Sequence, residues 1–159
     1  MANCMTIYVD TRERPAAIKG ILAEFDRQGV TVVRKALKFA DYWNPDNPKV
    51  IIDRKKNLSE IFHNVATEDR ARFIRELERC NKAGCRLIVL VEHGGRIKKL
   101  EDVIGWNNPR LKVSPIAVSG VRLFKIMKAM SQYYGFEWQF CNKQSTGRRI
   151  ISILGGEVK

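Results

Sequence analysis

At 159 residues with 45% hydrophobic side chains, the chain is long enough to bury a central sheet under helices as one domain. Its 29 Lys and Arg against 17 Asp and Glu give a formal net charge of +12, an excess that points to nucleic acid ahead of a membrane surface, the plainer reading being a lysine surplus that serves solubility. The longest apolar stretch, Leu87 to Val91, cannot span a membrane, no charged-then-apolar leader opens the chain, and four cysteines without a C-x-x-C pair exclude a ready zinc site, so a cytoplasmic protein with reduced thiols is expected.

Met5 to Val9 is a short β-rich run ending in Asp10, and from Pro15 the residues Ile18, Ile21, Leu22 and Phe25 recur at helical spacing until Gly29. A second strand is expected at Thr31 to Leu37, with Asp41 at its end, and a third at Lys49 to Lys55. The polar segment Trp43 to Pro48 between them reads as the long turn of a β-hairpin. Leu58, Ile61, Phe62 and Val65 make one helix, and Thr67 caps another carrying Phe73, Leu77 and Cys80 inward as far as Gly84. The unbroken apolar run Arg86 to Glu92 reads as a buried strand at the centre of the sheet. Leu100 to Trp106 is a short helix. Ser119 opens a longer one, with Leu123, Ile126, Met127 and Met130 on its apolar face, closing near Gly135. A last strand at Phe136 to Phe140 precedes a final helix capped by Ser145 or Thr146.

The chemistry concentrates in the hairpin. Ile51-Ile52-Asp53-Arg54-Lys55 places Asp53 and Lys55 on one face of a strand by its period of two, with Asp41 across the turn. Two carboxylates brought together repel unless a cation sits between them, which suits a hard, oxygen-seeking ion such as Mg²⁺ or Mn²⁺. Such an ion with a lysine beside it is equipment for phosphodiester hydrolysis. D-x-K alone arises by chance in so charged a chain. The apolar run before it, the upstream aspartate and the helix after it make the combination more specific.

These residues also resemble a known family. Val9-Asp10-Thr11-Arg12-Glu13, Ala40-Asp41-Tyr42 and Asp53-Arg54-Lys55 are similar, in order and spacing, to the V-D-x-R-E, G-D and E-R-K motifs of the XPF-type structure-specific endonucleases. Arg72, Glu76 and Arg79 resemble that family's helix with arginine, glutamine and arginine, and Leu90-Val91-Glu92 its following strand ending in glutamate. Ala40 stands where the family has glycine, Asp53 where it has glutamate and Glu76 where it has glutamine; Glu60 is one residue out of step with the acid expected after the lysine. The resemblance covers roughly the first two-thirds of the chain. It implies an α/β fold, a restriction-endonuclease-like mixed central sheet flanked by helices, as a single XPF-type nuclease domain over residues 1–159. The tandem helix-hairpin-helix domain of most members is not expected in it.

By the same resemblance, the activity is metal-dependent cutting of branched or flapped DNA, at junctions of single and double strands, in replication, recombination or repair; the compact form would suit a phage. Asp10, Asp41 and Asp53 are the implied ligands of Mg²⁺ or Mn²⁺, Lys55 the implied catalytic lysine, with Arg12, Glu13 and Arg54 around them. Each role has a plainer reading. Asp10, at a strand end, fits a capping residue equally well. Arg54 points away from Lys55 by alternation, so its side chain is structural or its backbone carbonyl faces the ion. Arg72, Glu76 and Arg79, at i, i+4 and i+7, read as a solvated salt-bridge ladder. Basic residues away from the centre, Lys98, Lys99, Arg110, Lys112 and above all Lys143, Arg148 and Arg149 at a helix start, together with Arg72, are candidates for holding DNA phosphates, or simply an exposed capped helix. Tyr42 and Trp43 either stack on a base or pack on the sheet. Family members commonly dimerise, and the Leu123 to Met130 face with Trp138 and Phe140 is either such a surface or core. Some members have lost their metal ligands, so a non-catalytic module that positions a partner on branched DNA is the alternative. A small RNA-binding protein would explain the charge but not the acidic pair.

Overall fold

The structure, a computed structural model, describes residues 4–156. Thr6–Val9 (β1) runs through Lys19–Arg27 (α1) to Thr31–Arg34 (β2), which pairs parallel with β1 as a crossover through a helix requires. Tyr42–Trp43 (β3) pairs antiparallel with both β1 and Val50–Lys55 (β4). Leu58–Ala66 (α2) and Arg70–Lys82 (α3) lead to Arg86–Glu92 (β5), then Gly120–Tyr134 (α4), Glu137–Cys141 (β6) and Thr146–Leu154 (α5). The sheet order is β2-β1-β3-β4-β5-β6, mixed because β3 alone opposes the rest. This is the α/β architecture expected, a mixed central sheet with helices on both faces. No helix among the described residues is long and apolar enough to cross a membrane.

Two expectations need correction. The second and third predicted strands do not form a hairpin with each other. The α1 crossover commits β2 to the far side of β1, and the chain must return through residues 35–41 before it can pair with β4. The two-residue β3 makes that hairpin, and Asp41 lies just ahead of it rather than at the end of β2. The apolar β5 is second from one edge, not central; burial on both faces, rather than central position, is what its unbroken run reports.

Alternation along β4 divides the core. Ile51 faces the layer of α2, α3 and α4, where Leu58, Ile61, Phe73, Leu77, Leu123 and Met127 pack. Ile52 faces α1 and α5, with Ile21, Phe25, Ile150 and Leu154. Leu123, Met127, Met130, Trp138 and Phe140 all lie within the first of these clusters. The surface suggested for self-association is therefore core.

Ala40 is the single non-glycine among the described residues with positive φ, at 62°. Its left-handed conformation turns the chain so that Asp41 N–H reaches Ile52 O at 2.8 Å and Asp41 O accepts from Asp10 N–H at 2.8 Å. A left-handed non-glycine residue costs about 1–2 kcal/mol. Ala40→Gly relieves that strain but removes a buried methyl group worth about 0.8 kcal/mol and loosens the unfolded chain by up to about 1 kcal/mol. Thermal unfolding of Ala40→Gly is thus expected within a few degrees of wild type. Ala40→Val, β-branched at positive φ, is expected well below it.

Candidate active site

The floor of the site is built by the same alternation. Asp53 and Lys55 share the face that carries Ile51, so their side chains stand under α3, while Arg54 goes through to the other face. Asp41 is aimed by the turn before β3 and fixed by Arg54 N–H, which donates to its Oδ2 at 2.8 Å. Asp41 and Asp53 come within hydrogen-bonding reach of each other, and burial together with that neighbouring charge raises the Asp41 carboxyl well above the usual carboxylate range. Lys55 Nζ lies 3.1 Å from Asp53 Oδ2, an ion pair without the angles of a hydrogen bond, and 5.5 Å from the centre of the Phe73 ring. Burial draws the lysine down, but the charges of Asp53, Glu60 and Glu76 outweigh it and keep the ammonium form above its ordinary range.

A third carboxylate enters from α3. Glu76 also reaches Asp53, and burial followed by the Asp53 charge pushes it up to about 8. Among buried side-chain oxygens and nitrogens of the described residues, two lack a hydrogen-bond partner: Asp53 Oδ2 and Glu76 Oε1. Carboxylate oxygens are acceptors, so neither can satisfy the other without a proton or a cation between them. All three acids line one cavity of about 370 Å³, whose other walls include Arg12, Lys56, Asn64, Arg72 and Phe73. Arg12 and Arg72 are largely exposed there, so an acidic floor lies beneath a basic rim.

These features test whether a divalent cation suits the site. Among the described residues no group of three or more His, Cys, Asp or Glu side chains is placed so that it could hold a metal ion. Mg²⁺ does not need one, since it binds through one or two carboxylates and keeps waters and phosphate oxygens for the rest. Hard oxygen donors, crowded like charges and orphaned buried oxygens all fit such an ion.

On the opposite face Arg54 ties the site together. Its Nε and Nη2 donate to Glu13 Oε1 and Oε2 at 2.6 and 2.8 Å, and Nη1 donates to Glu92 on β5. The fully buried Tyr42 donates its hydroxyl to Glu13 Oε1 at 2.9 Å, and Thr146 at the start of α5 donates to Glu92 Oε2 at 2.7 Å. Burial would lower the guanidinium pKa, but these carboxylates raise it above its already high ordinary value. Arg54 and Glu13 also line the cavity, and Arg54 reaches Asp41 through its backbone N–H while its guanidinium is held by Glu13 and Glu92.

The remaining predicted residues are distributed unevenly. Asp10 is fully buried and apart from the cavity wall: Oδ2 accepts from Arg12 Nε at 2.6 Å and Arg12 N–H at 3.3 Å, and Oδ1 from Leu37 N–H at 2.9 Å. Those bonds outweigh burial and hold its carboxyl below the ordinary range. Glu60 accepts from Lys56 N–H at 2.7 Å and begins α2, with Asn57 as its cap. Tyr42 and Trp43 pack rather than stack freely; Trp43 meets Tyr8 edge-on and donates to Pro48 O at 3.0 Å. Lys143, Arg148 and Arg149 are exposed. Their helix start is not the open anion cradle expected, however. Thr146 is spent on Glu92, a Cβ at Gly147 would come within 2.8 Å of Glu24 Cβ on α1, and Ser145 is the N-cap of α5 without a side-chain capping bond, while Asn142 caps the short turn before it. Sequence reasoning also set Glu76 on a solvated ladder with Arg72 and Arg79. Its spacing from Phe73 and Cys80, three and four residues, was the signal that it turns inward.

An α/β sheet that gathers carboxylates at the carboxyl end of a central strand, under a basic rim, defines a restriction-endonuclease-like class of protein. The chain matches the ERCC4 domain over residues 9–149 and belongs to that family. In fold it is similar to XPF from Aeropyrum pernix, at TM-score 0.64 and 21% identity, covering 94% of this chain and 63% of that one. The Aeropyrum pernix XPF structure in complex with DNA is similar to the same degree, with TM-score 0.64, 21% identity and coverage of 95% and 64%. The chain thus spans somewhat less than two-thirds of the archaeal structures it matches. No curated protein matches its sequence.

Proposed function

We propose that this chain is a divalent-metal-dependent DNA endonuclease, and the observation that carries the reading is the acidic floor under a basic rim in a single cavity. Asp41 and Asp53 would hold Mg²⁺ or Mn²⁺. Such an ion, when bound, supplies Lewis acidity toward a phosphate oxygen and makes water a better nucleophile. Lys55 stands beside Asp53 as a fixed ammonium, able to orient that water or stabilise charge developing on the phosphate. Arg12 and Arg72 on the rim, with Lys56, offer positive charge to flanking phosphates. Asp10 contributes by fixing the Arg12 side chain rather than by ligation. Lys143, Arg148 and Arg149 add charge further out. Branched or flapped DNA, with its single-strand to double-strand junctions, is the substrate we assign, encountered inside the cell. Self-association, if it serves the reaction, has the outward residues Val121 and Tyr133 of α4 to use.

The test is incubation of the purified chain with labelled duplex, flap, fork and four-way-junction DNA, in Mg²⁺, Mn²⁺ or chelator. Metal-dependent cutting that favours the flap and fork is expected, with binding that weakens steeply as salt rises. Tight binding without cutting in either metal would instead make the chain a module that positions DNA for another protein.

A further inference from the structure

We propose that the groove between the α2–α3 turn and α4 is a second nucleic-acid site, which takes one unpaired DNA strand leading away from the catalytic cavity. The assignment rests on the reading of the chain as a DNA-binding protein, and it names a part of the substrate that the cavity itself does not hold.

Two cavities of about 720 and 670 Å³ share Arg70, Arg122 and Ile126 in their walls and so make one groove. Apolar side chains line both halves, Met130 and Tyr134 in one, Pro115 and Ile116 in the other. The charged residues of the lining are Arg70, Arg122 and Lys125, with no Asp or Glu among the described residues that form it. Arg122 and Lys125 are exposed, and neither side chain has an ion pair or hydrogen bond among the described residues. Arg70 donates from Nη1 to Val65 O at 2.8 Å, which holds its guanidinium where the two halves meet. The amino end of α4, capped by Ser119, opens on the same wall and adds the positive end of a helix. Tyr133, 81% exposed on α4, stands edge-on to Tyr134 with ring centres 4.8 Å apart and offers a platform for a base. Free cations around an apolar trough suit a ligand that presents phosphates and ring faces together, as an unpaired strand does and a stacked duplex does not. An apolar protein surface laid there would instead bury three cations without counter-charge. Asp69 and Arg72 line the catalytic cavity while Thr67 and Arg70 line the groove, so a strand crossing one short turn passes from the first to the second.

Fluorescence anisotropy with a labelled oligothymidylate of about 15 nucleotides, in chelator so that nothing is cut, tests the groove. Arg122→Glu is expected to weaken binding about tenfold or more, and Lys19→Glu, the same change of charge at an exposed position on α1, by no more than about threefold. Tyr133→Ala is expected to weaken it about fivefold or more and Tyr133→Phe to keep it, since stacking needs the ring and not the hydroxyl. If Arg122→Glu binds as Lys19→Glu does and Tyr133→Ala binds as wild type does, the groove does not take the strand, while metal-dependent cutting by the same preparation would leave the endonuclease reading standing. If wild type binds neither this oligonucleotide nor a duplex, both readings fall. Sedimentation of the same proteins addresses the other occupant: a wild-type dimer that Tyr133→Ala makes monomeric, with DNA binding unchanged, would give the groove to a second copy of the chain instead.

Discussion

Asp53→Asn is expected to lose metal-dependent DNA cutting by about 10³-fold or more while melting at or above the wild-type temperature in chelator. The two signs come from one arrangement. Asp53 lies between Asp41 and Glu76 and is within reach of both, so in the metal-free protein three acids crowd around one ammonium. An asparagine removes one negative charge and brings an N–H₂ that can donate to either neighbour, which stabilises the fold. The same change removes the charge that would hold the cation. Catalytic groups that act on developing phosphate charge are typically worth about 10²–10³ each, and loss of the ion removes more than one such contribution. The pairing of lost turnover with retained or raised stability separates a functional role from a structural one, because a structural aspartate would lower both. Activity assays and thermal melts on the same preparation provide the comparison.

Arg54→Ala should be the most damaging substitution to stability near the site. The guanidinium is only 6% exposed, and its partners Glu13 and Glu92 are 11% and 6% exposed. Removing it leaves two buried carboxylates without their cation, and breaking a buried pair in this way costs about 3–5 kcal/mol. In a domain of this length that corresponds to a fall in melting temperature on the order of 10 °C. Thermal melts of the variant beside wild type measure the deficit, and an unchanged melting temperature would contradict the role given to the pair. Because Glu13 also receives Tyr42 and Glu92 receives Thr146, the loss should spread to β3 and the start of α5.

Much of this was legible in the residues, and the reason lies in the kinds of interaction concerned. Alternation in β4 is local, so the shared face of Asp53 and Lys55 and the reversed one of Arg54 follow from the strand period alone. Helix limits followed from equally local signals, such as Ser119 before α4 and the left-handed Gly135 after it. Strand partners did not, because pairing depends on contacts distant in sequence. A two-residue strand such as Tyr42–Trp43 carries too little pattern to be seen, and β2 was assigned to a hairpin that the α1 crossover forbids. The site was missed in a similar way at Glu76. Its polar identity and its arginine neighbours suggested a solvated ladder, and only its position beside Phe73 and Leu77 on the inward edge of α3 marks it as part of the floor. Asp10 shows the converse. Its place in the sequence suits a ligand, but Arg12 and the backbone of Leu37 occupy both its oxygens.

Crystals of the chain grown with Mn²⁺, and data collected at the manganese absorption edge, give the most direct measurement. A single anomalous peak within bonding distance of carboxylate oxygens from both residue 41 and residue 53 is the predicted result, with the ammonium of residue 55 nearby but unbound. A manganese ion held elsewhere on the molecule, with those two side chains turned apart, would contradict the account.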